Sequence, residues 1–171
     1  IHCNDWQTAL IPVYLNSFYR FDPLYSNMKT VFTIHNIQYQ GKYGYELTED
    51  VLGLPAENAS LVDYDNCVNF MKGAIQCADK VTTVSPTYSR EILDPYFSHG
   101  LDGILSMFTY KLTGIVNGID TDVYNPETDE HLVANFSAKD ISGKAKCKAA
   151  LQEELGLPVK ADTPIIAMVT R

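Results

Sequence analysis

The feature that most constrains this chain is a short apolar run ending in two polar residues, within KTVFTIHNIQYQGKYG at positions 29–44. Val31–Ile34 are β-branched or aromatic, and such a run followed by polar residues predicts a buried strand of a parallel sheet. His35 and Asn36 come directly after it. In open α/β sheets the loops after the strands form the ligand crevice, so these two side chains lie where chemistry is usually done. On position alone, a hydrogen-bonded His35 with no chemical role explains the pattern equally well.

Helix and strand patterns alternate around this run. An amphipathic helix is predicted from Trp6 to Leu15, with Asp5 at the N-cap position. A carboxylate of Asp5 that faces the same crevice as His35 is compatible with this position. Further helices are predicted over 47–54, 66–78 and 86–93, and strands over 81–85 and 112–116. Within the second of these helices, Phe70 and Met71 are expected in the core and Lys72 in solvent. The alternation is typical of an α/β protein with a doubly wound parallel sheet.

The last third of the chain is organised differently. An irregular stretch follows Asn117, then a helix is predicted over 142–155 and a strand over 164–169, the first strand of a second sheet. We therefore expect one domain over residues 1–116 and another over residues 117–171. Both ends of the chain read as cut within secondary structure, which predicts an internal fragment of a longer protein.

Charge and composition exclude some classes of function. The formal net charge is −8, whereas a nucleic-acid-binding protein needs a basic surface to neutralise phosphates. No apolar run approaches the roughly 20 residues that cross a bilayer. The four cysteines are widely spaced, which favours free thiols in a reducing compartment such as the cytoplasm, or the plastid in a plant, over a zinc site.

Most common catalytic motifs are missing from the sequence. There is no G-x-G-x-x-G, no Walker A motif and no G-x-S-x-G elbow. Two D-x-D triplets occur, Asp63 to Asp65 and Asp120 to Asp122, and clustered carboxylates are the ligands that hard cations prefer. The first triplet follows no predicted strand, whereas the second does. A metal-dependent transferase that uses Asp120 and Asp122 therefore stays open.

Four motifs in one order carry a family resemblance: NDWQTALIPVYL at 4–15, HNIQYQG at 35–41, VTTVSPTYSREI at 81–92 and GIVNGID at 114–120. The chain resembles the bacterial glycogen synthases and plant starch synthases over its whole length. These are retaining glucosyltransferases with the two-domain GT-B fold. The resemblance implies an incomplete Rossmann-like parallel sheet of the N-terminal domain, followed by the beginning of the C-terminal Rossmann-like, nucleotide-sugar-binding domain.

The resemblance also implies an activity: transfer of glucose from ADP-glucose to the non-reducing end of an α-1,4-glucan, with no cofactor, metal, nucleic acid or membrane. It assigns His35, Asn117 and Asp5 to the transferred glucose and Arg171 to the diphosphate, which a guanidinium binds bidentately. Asn36 is expected to support the loop, and Tyr39 and Gln40 to shape the donor or acceptor wall or simply to pack there. In the family NGID is a turn rather than a metal site. A GT-B site lies between two domains, so we expect this chain alone to be inactive.

Three alternatives to this activity stay open at the sequence level. The protein could be a non-catalytic relative that binds glucan or nucleotide sugar. It could be the metal-dependent transferase described above. It could also be a GT-B transferase that uses another sugar donor.

Overall fold

The structure, a computed structural model, describes residues 1–170. The chain divides into two compact units, residues 1–117 (unit 1) and residues 118–171 (unit 2). Unit 1 contains, in chain order, β1 (His2–Asn4), α1 (Leu10–Ser17), β2 (Val31–Ile34), β3 (Lys42–Tyr43), α2 (Leu47–Asp50), β4 (Asp63–Tyr64), β5 (Cys67–Asn69), α3 (Phe70–Cys77), β6 (Lys80–Thr83), α4 (Tyr88–Glu91), α5 (Asp102–Met107) and β7 (Leu112–Gly114). Short 3₁₀ helices lie at Trp6–Thr8, Ala56–Leu61 and Thr109–Lys111, and unit 2 contains α6 (Gly143–Glu154).

A four-stranded parallel sheet with the order β1-β2-β6-β7 forms the centre of unit 1. Helices α1 and α3, each on a crossover between neighbouring strands, pack against each other. That arrangement fits right-handed crossovers, which place the helices of successive connections on one face. The α/β prediction is confirmed. Within the described residues the strands follow chain order, so the reversal of strand order in a doubly wound sheet is not found there.

The apolar run Val31–Ile34 forms the strand β2 and is buried, as predicted. Phe32 and Ile34 are fully buried, and the intervening Thr33 is 8% exposed, so both faces of the strand are covered. Phe70 and Met71 are also buried, as expected. The core therefore lies between β2 and β6 and the helix pair α1 and α3.

A second sheet, antiparallel with the order β3-β5-β4, was missed by the sequence reasoning. Asp65 and Asn66 join β4 to β5 with φ values of 52° and 58°, and Tyr64 pairs with Cys67 across this two-residue turn. Two successive positive φ values are the mark of a type I′ hairpin turn. The helix predicted from residue 66 therefore begins only at Phe70, where the Asn69 side chain caps it by accepting from the Lys72 N–H at 3.0 Å.

Two lysines are buried, and the expectation of a solvated Lys72 is wrong. Lys72 is 6% exposed and donates to the Ser60 and Leu61 carbonyls at 2.6 and 3.1 Å. Lys111 is 5% exposed and donates to the Gln76 and Ala78 carbonyls at 2.9 and 2.7 Å. Each ammonium thus satisfies the free carbonyls at the end of a helix, where positive charge is favourable. Burial lowers the pKa of both ammonium groups.

In unit 2 the predicted helix is confirmed as α6, and Gly156 follows it with φ 65°. Lys148 donates to the Ala161 carbonyl at 2.7 Å, which ties the segment after the helix back to it. The strand predicted over residues 164–169 is wrong: these residues form no strand, and Ile166 is 95% exposed. A strand needs a hydrogen-bonded neighbour, and the described residues of unit 2 contain none. No helix in residues 1–170 has the length and apolar character needed to span a membrane.

Candidate functional site

Polar side chains from two neighbouring strands meet where β1 and β2 end, and we call Asn4, Asp5, His35 and Asn36 the strand-end cluster. The Asp5 Oδ1 atom accepts from the backbone N–H of His35 at 2.8 Å and of Asn36 at 3.3 Å. Asp5 lies at the N-cap position of the 3₁₀ helix that follows it, as predicted, but its carboxylate makes no capping hydrogen bond, so that part of the prediction is wrong. The carboxylate lies instead at the end of β2, beside His35.

The backbone of Asp5 has an unusual conformation that explains this orientation. Its φ is 53° and its ψ is −178°, a region that residues other than glycine rarely occupy. Its N–H donates to the Thr33 carbonyl at 2.9 Å, so Asp5 is still attached to β2 when the chain turns away. The turn brings the carboxylate back over the end of β2, where the loop N–H groups point.

The imidazole of His35 is held by a residue that the sequence reasoning did not single out. His35 Nε2 lies 2.9 Å from Asn4 Oδ1, and both side chains are exposed at the edge of the sheet. The sequence did contain a signal for this contact. Asn4 is the last residue of β1, and His35 is the first residue after β2, so the two lie at the same edge of the sheet. Asp5 therefore fixes the main chain of His35, and Asn4 fixes its ring.

The loop after the cluster is shaped by its own side chains. Asn36 Oδ1 accepts from the Gln38 N–H at 3.0 Å, a turn that supports the expected loop role of Asn36. Gln40 is 3% exposed, donates to the Ile37 and His99 carbonyls at 3.0 Å each, and accepts from Asn69. Both ends of the Gln40 amide are thus used within the protein, so this side chain holds the loop.

Aromatic residues form the wall next to the cluster. Tyr39 is 60% exposed, and a shallow pocket of about 280 Å³ lies between it and Asp5, lined by Asp5, Trp6, Gln7, Asn36 and Tyr39. A second pocket, of about 420 Å³, shares Trp6 and Tyr39 with the first and continues past Tyr43. Gly41 is required here, since its φ is 67° and a Cβ would lie 2.8 Å from the Trp6 ring. Ring faces beside hydrogen-bonding groups suit a sugar, which has apolar faces and hydroxyl edges.

Tyr88 is a second neighbour of the cluster that went unnoticed in the sequence. Its hydroxyl lies close to the Ile37 backbone and to the Asp5 carboxylate, and burial raises the pKa of this hydroxyl. The backbone N–H of Tyr88 donates to Ser85 Oγ at 2.9 Å, which fixes the turn that leads into α4. Local sequence patterns give no sign of the Tyr88 contact, because it comes from a different loop.

The remaining predicted site residues come from later parts of the chain. Asn117 follows β7, which β6 separates from β2, so the two strand ends lie roughly 10 Å apart. Arg171 lies outside the described residues. Asp120 Oδ1 accepts from the Asp122 and Val123 N–H groups at 3.0 Å each, which is turn geometry. Residues 1–170 contain no group of three or more His, Cys, Asp or Glu placed to hold a metal ion.

Comparison with known proteins identifies the family. The family described as the starch synthase catalytic domain matches residues 1–107. The glycogen synthases of Streptococcus mutans and Ligilactobacillus salivarius are 48% and 51% identical over 173 residues, covering all of this chain and 36% of each relative. The chain thus spans about a third of their length. The catalytic domain of starch synthase IV from Arabidopsis thaliana, solved with ADP and acarbose, is 39% identical with a TM-score of 0.78, covering 92% of this chain and 33% of that one. This chain belongs to the starch synthase catalytic domain family.

Proposed function

We propose that the protein containing this chain transfers glucose from ADP-glucose to the non-reducing end of an α-1,4-glucan, with retention of the anomeric configuration. The observation that carries the proposal is the strand-end cluster, in which Asp5 and Asn4 hold His35 beside an aromatic-walled pocket. Similarity to glycogen synthases and to a starch synthase solved with ADP and acarbose supports both the donor and the acceptor class.

The two compact units correspond, in this proposal, to parts of two domains. Residues 1–116 are the later part of the N-terminal, acceptor-side domain. Residues 117–171 are the interdomain segment and the beginning of the C-terminal, nucleotide-sugar-binding domain. Because a GT-B site is completed by both domains, this chain alone transfers no glucose.

Each residue of the site has a role in the proposed chemistry. Transfer breaks the bond between the glucose anomeric carbon and the diphosphate through an oxocarbenium-like transition state. His35 and Asn117 orient sugar hydroxyls, and Asp5 holds the His35 loop while supplying negative charge nearby. Arg171 neutralises the leaving diphosphate.

The residues of the following loop bind or shape the substrate pocket. Asn36 sets the turn, Tyr39 provides an exposed ring face at the pocket wall, and the buried Gln40 holds the loop from below. Tyr39 is therefore the member of this loop that contacts sugar directly. No cofactor, metal, nucleic acid or membrane takes part.

The proposed compartment is the cytoplasm, or the plastid in a plant. All four cysteines, Cys3, Cys67, Cys77 and Cys147, are free thiols, which suits a reducing environment.

The experiment that tests this function is an assay of the full-length enzyme with labelled ADP-glucose and UDP-glucose on glycogen. Faster incorporation from ADP-glucose, unaffected by EDTA, is expected. His2→Ala is a matched control for variants of His35, because each ring makes a hydrogen bond to the neighbouring strand, and that of His2 goes to Thr33 Oγ1 within β2 at 2.6 Å.

Other outcomes of this assay select among the alternatives. A preference for UDP-glucose favours the transferase with another donor. Folded enzyme that incorporates no glucose from either donor favours the non-catalytic relative. Activity that EDTA abolishes and Mn²⁺ restores revives the metal-dependent mechanism.

A further inference from the structure

We infer that Asn4 is a positioning residue that sets the tautomer of His35, so that the ring presents Nδ1 as a hydrogen-bond acceptor to a substrate hydroxyl. This inference rests on the proposed function, which it deepens. It concerns Asn4, the first residue of the NDWQTALIPVYL motif, to which the family resemblance assigns no role.

The hydrogen bond between the His35 ring and the Asn4 amide determines which ring nitrogen carries the proton. His35 Nε2 lies 2.9 Å from Asn4 Oδ1, and an amide oxygen can only accept a hydrogen bond. Nε2 must therefore carry the proton. In a neutral imidazole the other nitrogen, Nδ1, then has a lone pair and accepts.

The backbone that carries the His35 ring is already fixed. The main chain at His35 and Asn36 is held by Asp5 Oδ1, so rotation of the imidazole is what remains to be fixed. Asn4 is itself well placed for this, because it pairs with Thr33 in the parallel ladder and its carbonyl accepts from Thr8 Oγ1 at 2.8 Å. The end of β1 thus holds both the backbone and the ring of His35.

Nδ1 of His35 has no hydrogen-bond partner among residues 1–170, and the next residue, Asn36, lines the pocket beside Tyr39. A free acceptor nitrogen favours a ligand that donates, and a sugar hydroxyl is such a donor. A ring with the opposite tautomer would offer an N–H where the hydroxyl needs an acceptor, and a ring flipped about χ2 would place the Cδ2–H group there. Asn4 therefore acts on catalysis through His35 and does not contact the sugar.

The test measures the tautomer and the kinetics of the full-length enzyme in parallel. Long-range ¹H–¹⁵N correlation on enzyme labelled with ¹⁵N-histidine reports which ring nitrogen carries the proton, and the His35→Gln variant assigns the signal. The wild type is expected to show protonated Nε2 and unprotonated Nδ1. Asn4→Leu should give a mixture of tautomers and a kcat lower by about three- to tenfold, with KM within about twofold, the size expected for one neutral hydrogen bond felt in the transition state.

Two further variants separate positioning from general damage. Asn4→Asp keeps an acceptor oxygen, so it should keep the Nε2–H tautomer and restore most of the kcat lost in Asn4→Leu. Asn58→Leu removes a hydrogen bond to Ser17 elsewhere in unit 1 and should change neither the spectrum nor kcat.

A wild-type spectrum with protonated Nδ1 would overturn the inference, as would Asn4→Leu enzyme with wild-type kcat. If Asn4→Leu does not fold, Asn4→Asp still decides, because loss of the Nε2–H tautomer there contradicts the role of the oxygen. The spectrum is read without turnover, so a failure of the proposed function and a failure of this inference give different results.

Discussion

Unit 1 contains two sets of polar side chains that use the backbone in opposite ways. The buried lysines, Lys72 and Lys111, are about 5% exposed and direct their ammonium groups at four carbonyls at helix ends. In the strand-end cluster the backbone donates to Asp5, and the exposed ring of His35 has one nitrogen with no hydrogen-bond partner among residues 1–170. The comparison teaches that polar atoms satisfied internally stabilise the fold, whereas those left free at a strand end are available to a ligand.

The largest effect is expected from removing the exposed side chain of His35, which should lower kcat. His35→Ala in the full-length enzyme should lower kcat by roughly 10²–10³, since a positioned polar contact felt in the transition state is worth a few kcal/mol. The Tm should stay close to that of wild type, because the side chain is exposed. Steady-state kinetics and thermal melts measure both. Turnover near the wild-type value, with His2→Ala as the reference, would make His35 a structural residue.

Removing the ammonium group of a buried lysine should instead lower stability and leave kcat unchanged. Lys111→Met keeps an apolar stem but leaves the Gln76 and Ala78 carbonyls without their donor, which should cost about 1–3 kcal/mol of unfolding free energy. The kcat of folded enzyme should not change. Urea denaturation checks the loss, with the exposed Lys80→Met as control. A variant as stable as wild type would mean that water replaces the ammonium at both carbonyls.

The strained backbone of Asp5 offers a way to sharpen the comparison. Both Asp5→Ala and Asp5→Gly remove the carboxylate and should lower kcat, but only glycine relieves the positive φ. Asp5→Gly should therefore be more stable than Asp5→Ala by about 1–2 kcal/mol. Chemical denaturation of the pair measures the difference. Equal stabilities would show that the backbone relaxes once the carboxylate is gone.

The smallest expected effect is a change in the pH dependence of stability, and it comes from Cys77, which lies near the buried lysines. Burial raises the pKa of its thiol from 9.0 to about 11, against a lowering by Lys111 and Lys72. Between pH 9 and 11 the unfolded thiol has lost its proton while the folded one keeps it, so stability falls as pH rises through this window. At pH 10 the loss is about 1 kcal/mol. Denaturation of Cys77→Ala across pH 8–11 should show a shallower decline than wild type, and parallel curves would contradict the assignment.

Features encoded in local patterns were predictable from the sequence. The apolar run of β2 and the periodic helix α6 each depend on neighbouring residues, and each was found. The turn at Asp65 and Asn66 was also local, and two turn-forming residues between short strands could have revealed it.

The features that could not be predicted from the sequence depend on partners that are distant along the chain. Lys72 reads as a surface charge until the carbonyls of Ser60 and Leu61 are placed beside it. The Tyr88 contact with the Ile37 backbone, like the ring contact of Asn4, appears only after the strands are aligned. The segment 164–169 has strand-like composition but no pairing partner among the described residues of unit 2.

The attachment of His35 to the end of β1 has a consequence for how sequences like this one can vary. The relative alignment of β1 and β2, with Asn4 opposite Thr33, decides where Asp5 and Asn4 meet the loop. The connection between α1 and β2, residues 18–30, does not decide it, and this connection lies largely on the surface with Phe21 91% exposed. Insertions there should leave the crevice intact, because lengthening a surface loop adds little free energy. A one-residue shift of β1 against β2 would instead turn Asn4 to the opposite face of the sheet, away from His35.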